Sequence, residues 1–455
     1  MGCDDSQILV SETNNGFEGV EKKLEIIFDP KNANTTLSDT TFGEAAGGVP
    51  KVGLRRISAS TWSELLAVAR CSILDSDSND YFDSYILSES SLFVYSYHIM
   101  IKTCGRTVPL LMVPYLLVVA ERCCNLPASC LSAIRYSRKN FLYPQDQPWP
   151  HSSWQHEIVA LDSVVRISQS PPLDESTTTT ATTTSGGSLK KKEKAAPTAA
   201  VSAETGSQTQ TLPPITILAD LPPSMFEVSA FSARESDGQL QALFGSPFVF
   251  GNAASECWYL WTHKFGAQPV PSPSLSSLPS ASTVMATLEV MMHALPPQVT
   301  DVFHDTHPAF TTVESVMAAS RLQSCLAPSA TYKGALFHPC GFSLNAMHNE
   351  CYTTVHVTPE SDCSFASFEC SFPHPTAGGQ FDIRAVSDML STVLATFQPG
   401  RFSAALVLPP DSPLQQDEYH FQFRPNKDVR EGWTVTHRTA SDIHDGTGVS
   451  VLHAR

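Results

Sequence analysis

The densest group of chemistry-bearing residues is Leu87-Ser88-Glu89-Ser90-Ser91, three serines and a glutamate inside an otherwise apolar, β-branched run from Tyr85 to Thr103. Such residues are poor choices for a buried strand. Composition alone favours an edge strand or bulge with solvated hydroxyls. The alternative is a serine hydroxyl that attacks the preceding carbonyl, which needs a strained, buried peptide and a nearby proton shuttle. A second group, Lys102-Thr103-Cys104-Gly105, places a thiol at a strand end with a lysine two positions away, a pattern that suits either a tuned acid or an inert buried cysteine. A third is Phe337-His338-Pro339-Cys340-Gly341-Phe342-Ser343 followed by Tyr352 to Glu360. A two-residue turn at Asn349–Glu350 sets Ser343 directly across from His356, so a hydroxyl and an imidazole share one face. With Glu360 just beyond, these three could form a hydrolase triad, although no GxSxG elbow surrounds Ser343. A cross-strand hydrogen-bonded pair explains them equally well.

Elements that could position these groups are legible in part. Leu24 to Phe28 reads as a strand fed by the Phe17-Glu18-Gly19 loop. Thr61 and Glu64 form a capping-box pattern for a helix over about 61–73, with Trp62, Leu65, Leu66 and Ala69 on its apolar face. The Tyr85–Thr103 run, interrupted near Tyr95–Tyr97, reads as a hairpin or two strands. Val108 to Ala120 is too short and proline-marked for a bilayer and reads as a buried helix. Val284, Leu288, Met291 and Met292 suggest one helical face, and Ile383, Val386, Leu390, Val393 and Phe397 another. Strands are expected around Trp258–Trp261, Thr353–Thr358 and Phe402–Leu408. Irregular alternation of strands and helices favours α+β sheets packed face to face with helices outside.

The chain has 455 residues, 42% hydrophobic and 16% charged, enough to bury a large core. A formal net charge of −16 argues against nucleic acid as a partner. Twelve scattered cysteines with no secretory signal and no CxxC pair point to reduced thiols in a cytoplasmic compartment and no metal site. Met1-Gly2-Cys3-Asp4-Asp5-Ser6 fits the myristoylation pattern at Gly2, with Cys3 open to a second acyl chain, but Asp4 and Asp5 oppose an anionic membrane and chance is the better reading. The expected organisation is a tail over 1–13, a first domain part over 14–167, a low-complexity disordered insertion over 168–214, a second part over 215–412 and a C-terminal extension over 413–455. No short internal repeat is evident.

Taken in order, eight blocks resemble the eukaryotic S-adenosylmethionine decarboxylase family. They are Phe17-Glu18-Gly19, Glu21-Lys22, Tyr85-Ile86-Leu87-Ser88-Glu89-Ser90-Ser91, Lys102-Thr103-Cys104-Gly105, Tyr136-Ser137-Arg138-Lys139-Asn140-Phe141, Cys257-Trp258-Tyr259-Leu260, Pro339-Cys340-Gly341-Phe342-Ser343 and His356-Val357-Thr358-Pro359-Glu360. The resemblance implies a four-layer αββα sandwich of two antiparallel sheets with outer helices. It implies self-cleavage at Glu89–Ser90, converting Ser90 into a pyruvoyl group while the short chain 1–89 stays bound to the long chain 90–455. That group would form a Schiff base with S-adenosylmethionine and act as electron sink, with neither metal nor pyridoxal phosphate. Ser343 and His356 match the family's processing residues, Cys104 its proton donor and Glu18 a supporting acid. Phe17 and Phe337 match the rings that stack on adenine, Leu87 the backbone beside the base and Glu360 the ribose-binding carboxylate.

The same resemblance implies a remote acidic site that binds putrescine in animal members. Its carboxylates match Glu21, Glu25 and Glu256. Lys23 and Arg135 are basic here, as in plant members, and with Lys102 would supply the compensating charge, so putrescine activation is not expected. Animal members resemble dimers and plant members monomers, which leaves a homodimer open. The product would serve spermidine and spermine biosynthesis. A second reading is an inactive paralogue that activates a true decarboxylase; retention of Ser90, Cys104, Ser343 and His356 weighs against it.

Overall fold

The computed structural model describes residues 17–29, 51–169, 244–252, 255–266, 285–304, 307–373, 381–409, 433–443 and 447–455. The acylation pattern and almost all of the 168–214 insertion lie outside them. Among the described residues sixteen strands form two eight-stranded sheets. The first holds β1 (Lys22–Phe28), β2 (Ile73–Ser78), β3 (Phe82–Leu87), β4 (Ser90–Tyr95), β5 (His98–Thr103), β6 (Leu131–Lys139), β7 (Ser246–Gly251) and β8 (Cys257–Lys264) in the order β2-β3-β4-β5-β1-β6-β8-β7. The second holds β9 (Ala286–His293), β10 (Thr331–Leu336), β11 (Phe342–His348), β12 (Cys351–Thr358), β13 (Phe365–Phe372), β14 (Arg401–Leu408), β15 (Val435–Asp442) and β16 (Gly448–Ala454) in the order β10-β11-β12-β13-β9-β14-β16-β15. Adding eight to each strand number of the first order gives the second, so the two halves share one topology without a repeated sequence. Every strand pairing is antiparallel.

Helices α1 (Ala59–Val68), α2 (Val113–Cys124) and α3 (Trp154–Gln169) bury Trp62, Leu116 and Leu161 against the outer face of the first sheet. The short α4 (Pro297–Thr300), α5 (Val313–Ser320) and α6 (Ile383–Phe397) cover the second, α6 through Val386, Leu390, Val393 and Phe397. Between the sheets, Trp258 and Leu260 meet Met291, Phe365 and Ala405, and Phe93 meets Met347 and Tyr352. The result is the four-layer αββα sandwich of two antiparallel sheets.

Several expectations need correction. The α1 cap is Ser58, whose hydroxyl accepts from the Thr61 amide, and the helix ends at Val68; Ile73 already belongs to β2. The Tyr85–Thr103 stretch enters three strands, not two. Ala286–His293 is the buried strand β9, not a helical face. A strand covered on both faces loses its alternation and mimics a buried helix over so short a span. The segment after Ser412, uncertain from sequence, contributes β15 and β16, which complete the second sheet.

Candidate active site

Leu87 and Ser90 pair directly, so Ser88 and Glu89 form the tight turn between β3 and β4. Ser90 also lies opposite Thr103, which in turn lies opposite Lys22. Strand alternation would therefore aim the Ser90 side chain with Lys22 toward the helices. Its φ of 122° redirects it. The hydroxyl donates to Glu21 Oε1 (2.6 Å) and lies 3.2 Å from both ring nitrogens of His356 in the opposite sheet. Ser90 and Ser91, adjacent in sequence, thus both face the space between the sheets. A non-glycine residue in this region costs on the order of 1–3 kcal/mol and persists only where its surroundings enforce it. Ser90 is 2% exposed, so that strain sits in the core.

The Glu89 carbonyl accepts a hydrogen bond from the Cys104 amide (3.1 Å). The Cys104 thiol lies 3.6 Å from the same carbonyl oxygen and 3.8 Å from Glu89 Oε2. Burial, then the Glu89 and Glu21 charges, push the thiol well above its ordinary range despite Lys22. Glu21 goes the other way. Burial alone would raise it, but Lys102 (3.0 Å) and His356 Nδ1 (2.6 Å) hold its carboxyl well below the usual range.

Ser343 and His356 are directly opposed, as the turn register requires. The hydroxyls bonded to the imidazole, however, are those of Ser90, Ser91 (2.8 Å), Thr354 (3.2 Å) and Ser367 (3.4 Å), not Ser343. Asn345 fixes this cluster by accepting from Ser91 (2.6 Å) and Thr354 (2.9 Å). The carboxylate on His356 is Glu21, not Glu360, so the hydrolase triad does not assemble.

Around this centre, Glu18 is buried and accepts from the Val20 and Tyr143 amides (3.1 and 2.7 Å), which makes it a clamp between β1 and the Tyr143 loop. Phe17 is 40% exposed and its ring lies beside Gly105. Phe337 packs over Gly341, whose carbonyl accepts from the Phe337 amide. Glu360 Oε2 is buried with no hydrogen-bond partner, a carboxylate oxygen that calls for a donor. Leu87 is fully buried at the base of the turn.

The charge cluster between the sheets lacks one expected member and holds two unexpected ones. Lys102 reaches Glu21, Glu289 (2.9 Å) and Glu369 (2.8 Å), and Lys23 reaches Glu369 (2.5 Å). Glu25 faces Arg135 across β1 and β6 and meets His98 (3.5 Å); Arg135 donates to Thr447 (2.6 Å). Glu256 does not join them. It pairs with Lys139 and, at 3.5 Å, Arg401, with its side chain 25% exposed. It precedes β8, and its acidity in sequence gave no sign of which face it takes. The carboxylates actually present are Glu289 and Glu369, with Tyr352 donating to Glu369 (2.5 Å). Each is the one carboxylate in a strand buried along almost its whole length, Ala286–His293 and Phe365–Phe372, and that oddity is the available signal.

Among the described residues no group of three or more His, Cys, Asp or Glu side chains could hold a metal, and no helix is long and apolar enough to cross a membrane. Comparison with known proteins gives a match to the adenosylmethionine decarboxylase family model over residues 14–195 and 234–453. An S-adenosylmethionine decarboxylase proenzyme of Dictyostelium discoideum is 29% identical over 87% of this chain and 76% of its own. The proenzyme of Catharanthus roseus is 27% identical over 93% and 90%. A solved structure, the Trypanosoma brucei AdoMetDC-delta26 monomer, overlays on 54% of this chain and 93% of its own at 21% identity and a TM-score of 0.33. With its family match running through both sheets, the chain belongs to the adenosylmethionine decarboxylase family.

Proposed function

We propose that the chain is a proenzyme that cleaves itself between Glu89 and Ser90 and then decarboxylates S-adenosylmethionine, the substrate in its relatives' names. The observation that carries this reading is the strained, buried Ser90, its hydroxyl held by Glu21 and His356 behind a carbonyl already bonded to the Cys104 amide. Attack of Ser90 Oγ on the Glu89 carbonyl carbon moves negative charge onto an oxygen that has a donor in place. His356, tied to the ionised Glu21, takes the hydroxyl proton. Nitrogen departure converts the amide to an ester. Removal of the Ser90 Cα proton then breaks the Cβ–O bond and releases a chain ending in the Glu89 carboxylate. Hydrolysis of the remaining enamine, with loss of ammonia, leaves a pyruvoyl terminus. Ser343, opposed to His356 in the sheet, is assigned a supporting part in these proton transfers.

The site suits that group: Ser90 is buried beside a thiol, an imidazole and a compensated carboxylate. When formed, the pyruvoyl ketone supplies an electron sink for the substrate α-carbon. Cys104 is the proton donor. Its raised proton affinity keeps the thiol neutral near pH 7, the form a donor needs. Phe17 and Phe337 would stack on the adenine and Leu87 would border it. The unpartnered Glu360 oxygen suits ribose hydroxyls. The Lys23, Lys102 and Arg135 cations already stand among the interior carboxylates and supply charge that a diamine would otherwise bring, so titrating putrescine into a steady-state assay should leave the rate unchanged. Polyamine synthesis would draw on the decarboxylated product.

The test is release of carbon dioxide from carboxyl-labelled S-adenosylmethionine. The wild-type chain releases it. S90A does not, and C104A retains cleavage but loses about 100-fold or more of the rate. A cleaved wild-type chain with no release would reject decarboxylation and promote the activator reading.

A further inference from the structure

We propose that Lys22 is a positioning residue for Cys104: it pins the Cys104–Gly105 turn and stabilises the thiolate left when that thiol gives up its proton. This rests on the assignment of Cys104 as donor and identifies what makes donation feasible. The donor thiol is flanked by the Glu89 and Glu21 carboxylates, which oppose a thiolate, and Lys22 is the cation that favours it.

Geometry supports the assignment from both sides. Lys22 is fully buried on the helix-facing side of β1, opposite Thr103. Its Nζ donates to the Gly105 carbonyl (2.8 Å) and to Gln147 Oε1 (3.1 Å), and lies 5.3 Å from the centre of the Phe141 ring. The Gly105 amide donates to the Glu18 carbonyl (2.8 Å), and Gly105 itself has a φ of +59°. The turn carrying the thiol is thus held at Cys104 N–H, Gly105 N–H and Gly105 C=O.

The groups facing Lys22 explain why it is not consumed by an ion pair. Glu157 of α3 is occupied by Arg138 (2.8 Å), His151 (2.8 Å) and Tyr136 (2.6 Å). Glu18 spends both carboxylate oxygens on backbone amides. Arg138 adds like charge. Burial therefore dominates and lowers the lysine from 10.5 to about 8, with Cys104, Glu157 and Glu18 pulling it up and Arg138 pushing it down. Near neutral pH the ammonium is charged, poised beside a thiol whose ionisation it favours. Above pH 8 it loses its proton and the help ends.

The test uses the full-length chain carrying S90A, so that the readout needs neither cleavage nor turnover. Iodoacetamide alkylation of Cys104 is followed by peptide mass spectrometry against pH in Lys22, K22M, K22Q and K22R backgrounds. K22Q retains a donor for the Gly105 carbonyl and serves if K22M does not fold. At pH 7.5 both neutral variants should alkylate about tenfold more slowly, and K22R within about twofold of the parent. The gap should close as pH rises through about 8, where Lys22 itself becomes neutral. A purely structural lysine would give no such convergence. Equal rates at pH 7.5 in K22Q and the parent, or a gap that persists unchanged to pH 9.5, would overturn the proposal. No carbon dioxide release by the cleaved chain with Ser90 in place, alongside an intact alkylation signature in S90A, would instead count against the assigned reaction alone.

Discussion

The hairpins β3–β4 and β11–β12 occupy equivalent places in two sheets of one topology, yet they store backbone strain in different positions. In β11–β12 the left-handed residue is Asn349 (φ 52°), in the turn, where an asparagine side chain tolerates it. In β3–β4 the positive φ falls on Ser90, one residue past the turn and inside the core. A two-residue connection between such strands therefore does not itself require a strained serine. What holds Ser90 out of line is a pair of partners, Glu21 beside β1 of its own sheet and His356 from the other sheet. Those partners sit against a buried cation, Lys102, that keeps Glu21 ionised.

The largest effect should follow from removing the partner supplied by the second hairpin. H356A should slow conversion to two chains by about 10²–10⁴-fold, measured by a denaturing-gel time course, because general-base assistance contributes that much. Next, K102M leaves Glu21, Glu289 and Glu369 without their shared cation and should cost about 3–5 kcal/mol in urea unfolding. Acid should do the same more gradually. Burial pushes Glu21 and Glu369 up, but Lys102 together with His356 on Glu21 and Lys23 on Glu369 holds both below the ordinary 4.5, so their stabilisation is present above pH 4.5 and lost as pH falls through the folded-state range. Glu289 is raised by burial and does not share this behaviour. A pH series of unfolding midpoints should fall below pH 4.5 in the wild type and more weakly in E21Q. The smallest effect belongs to the unstrained hairpin. N349G should change stability by less than about 1 kcal/mol and leave cleavage untouched, since glycine accepts that φ freely.

The contrast also shows what a sequence discloses. The Ser343–His356 pairing was legible because an Asn-led two-residue turn fixes the register of the whole hairpin. Register says which residues are opposed, not which hydroxyl reaches the imidazole, and Ser90 and Ser91 reach it from the other sheet. The strain at Ser90 is likewise invisible in a string of residue types, because it arises from contacts across some 270 positions of chain. Strand β9 reads as a helix in the sequence because burial on both faces erases alternation. The same burial hid Glu289 and Glu369, whose partners Lys23 and Lys102 lie in the first half of the sequence. Glu256 enters the expected cluster by resemblance, but its place ahead of β8 turns it to Lys139 and Arg401 and away from the shared interior.

The central claim is that Ser90 converts its own peptide bond, and intact mass spectrometry of the purified chain under denaturing conditions tests it most directly. Two species meeting at Glu89 and Ser90, the longer with a blocked pyruvoyl terminus, together with one uncut chain in S90A, are the predicted result. A single full-length wild-type chain, or a cut at any other bond, would contradict it.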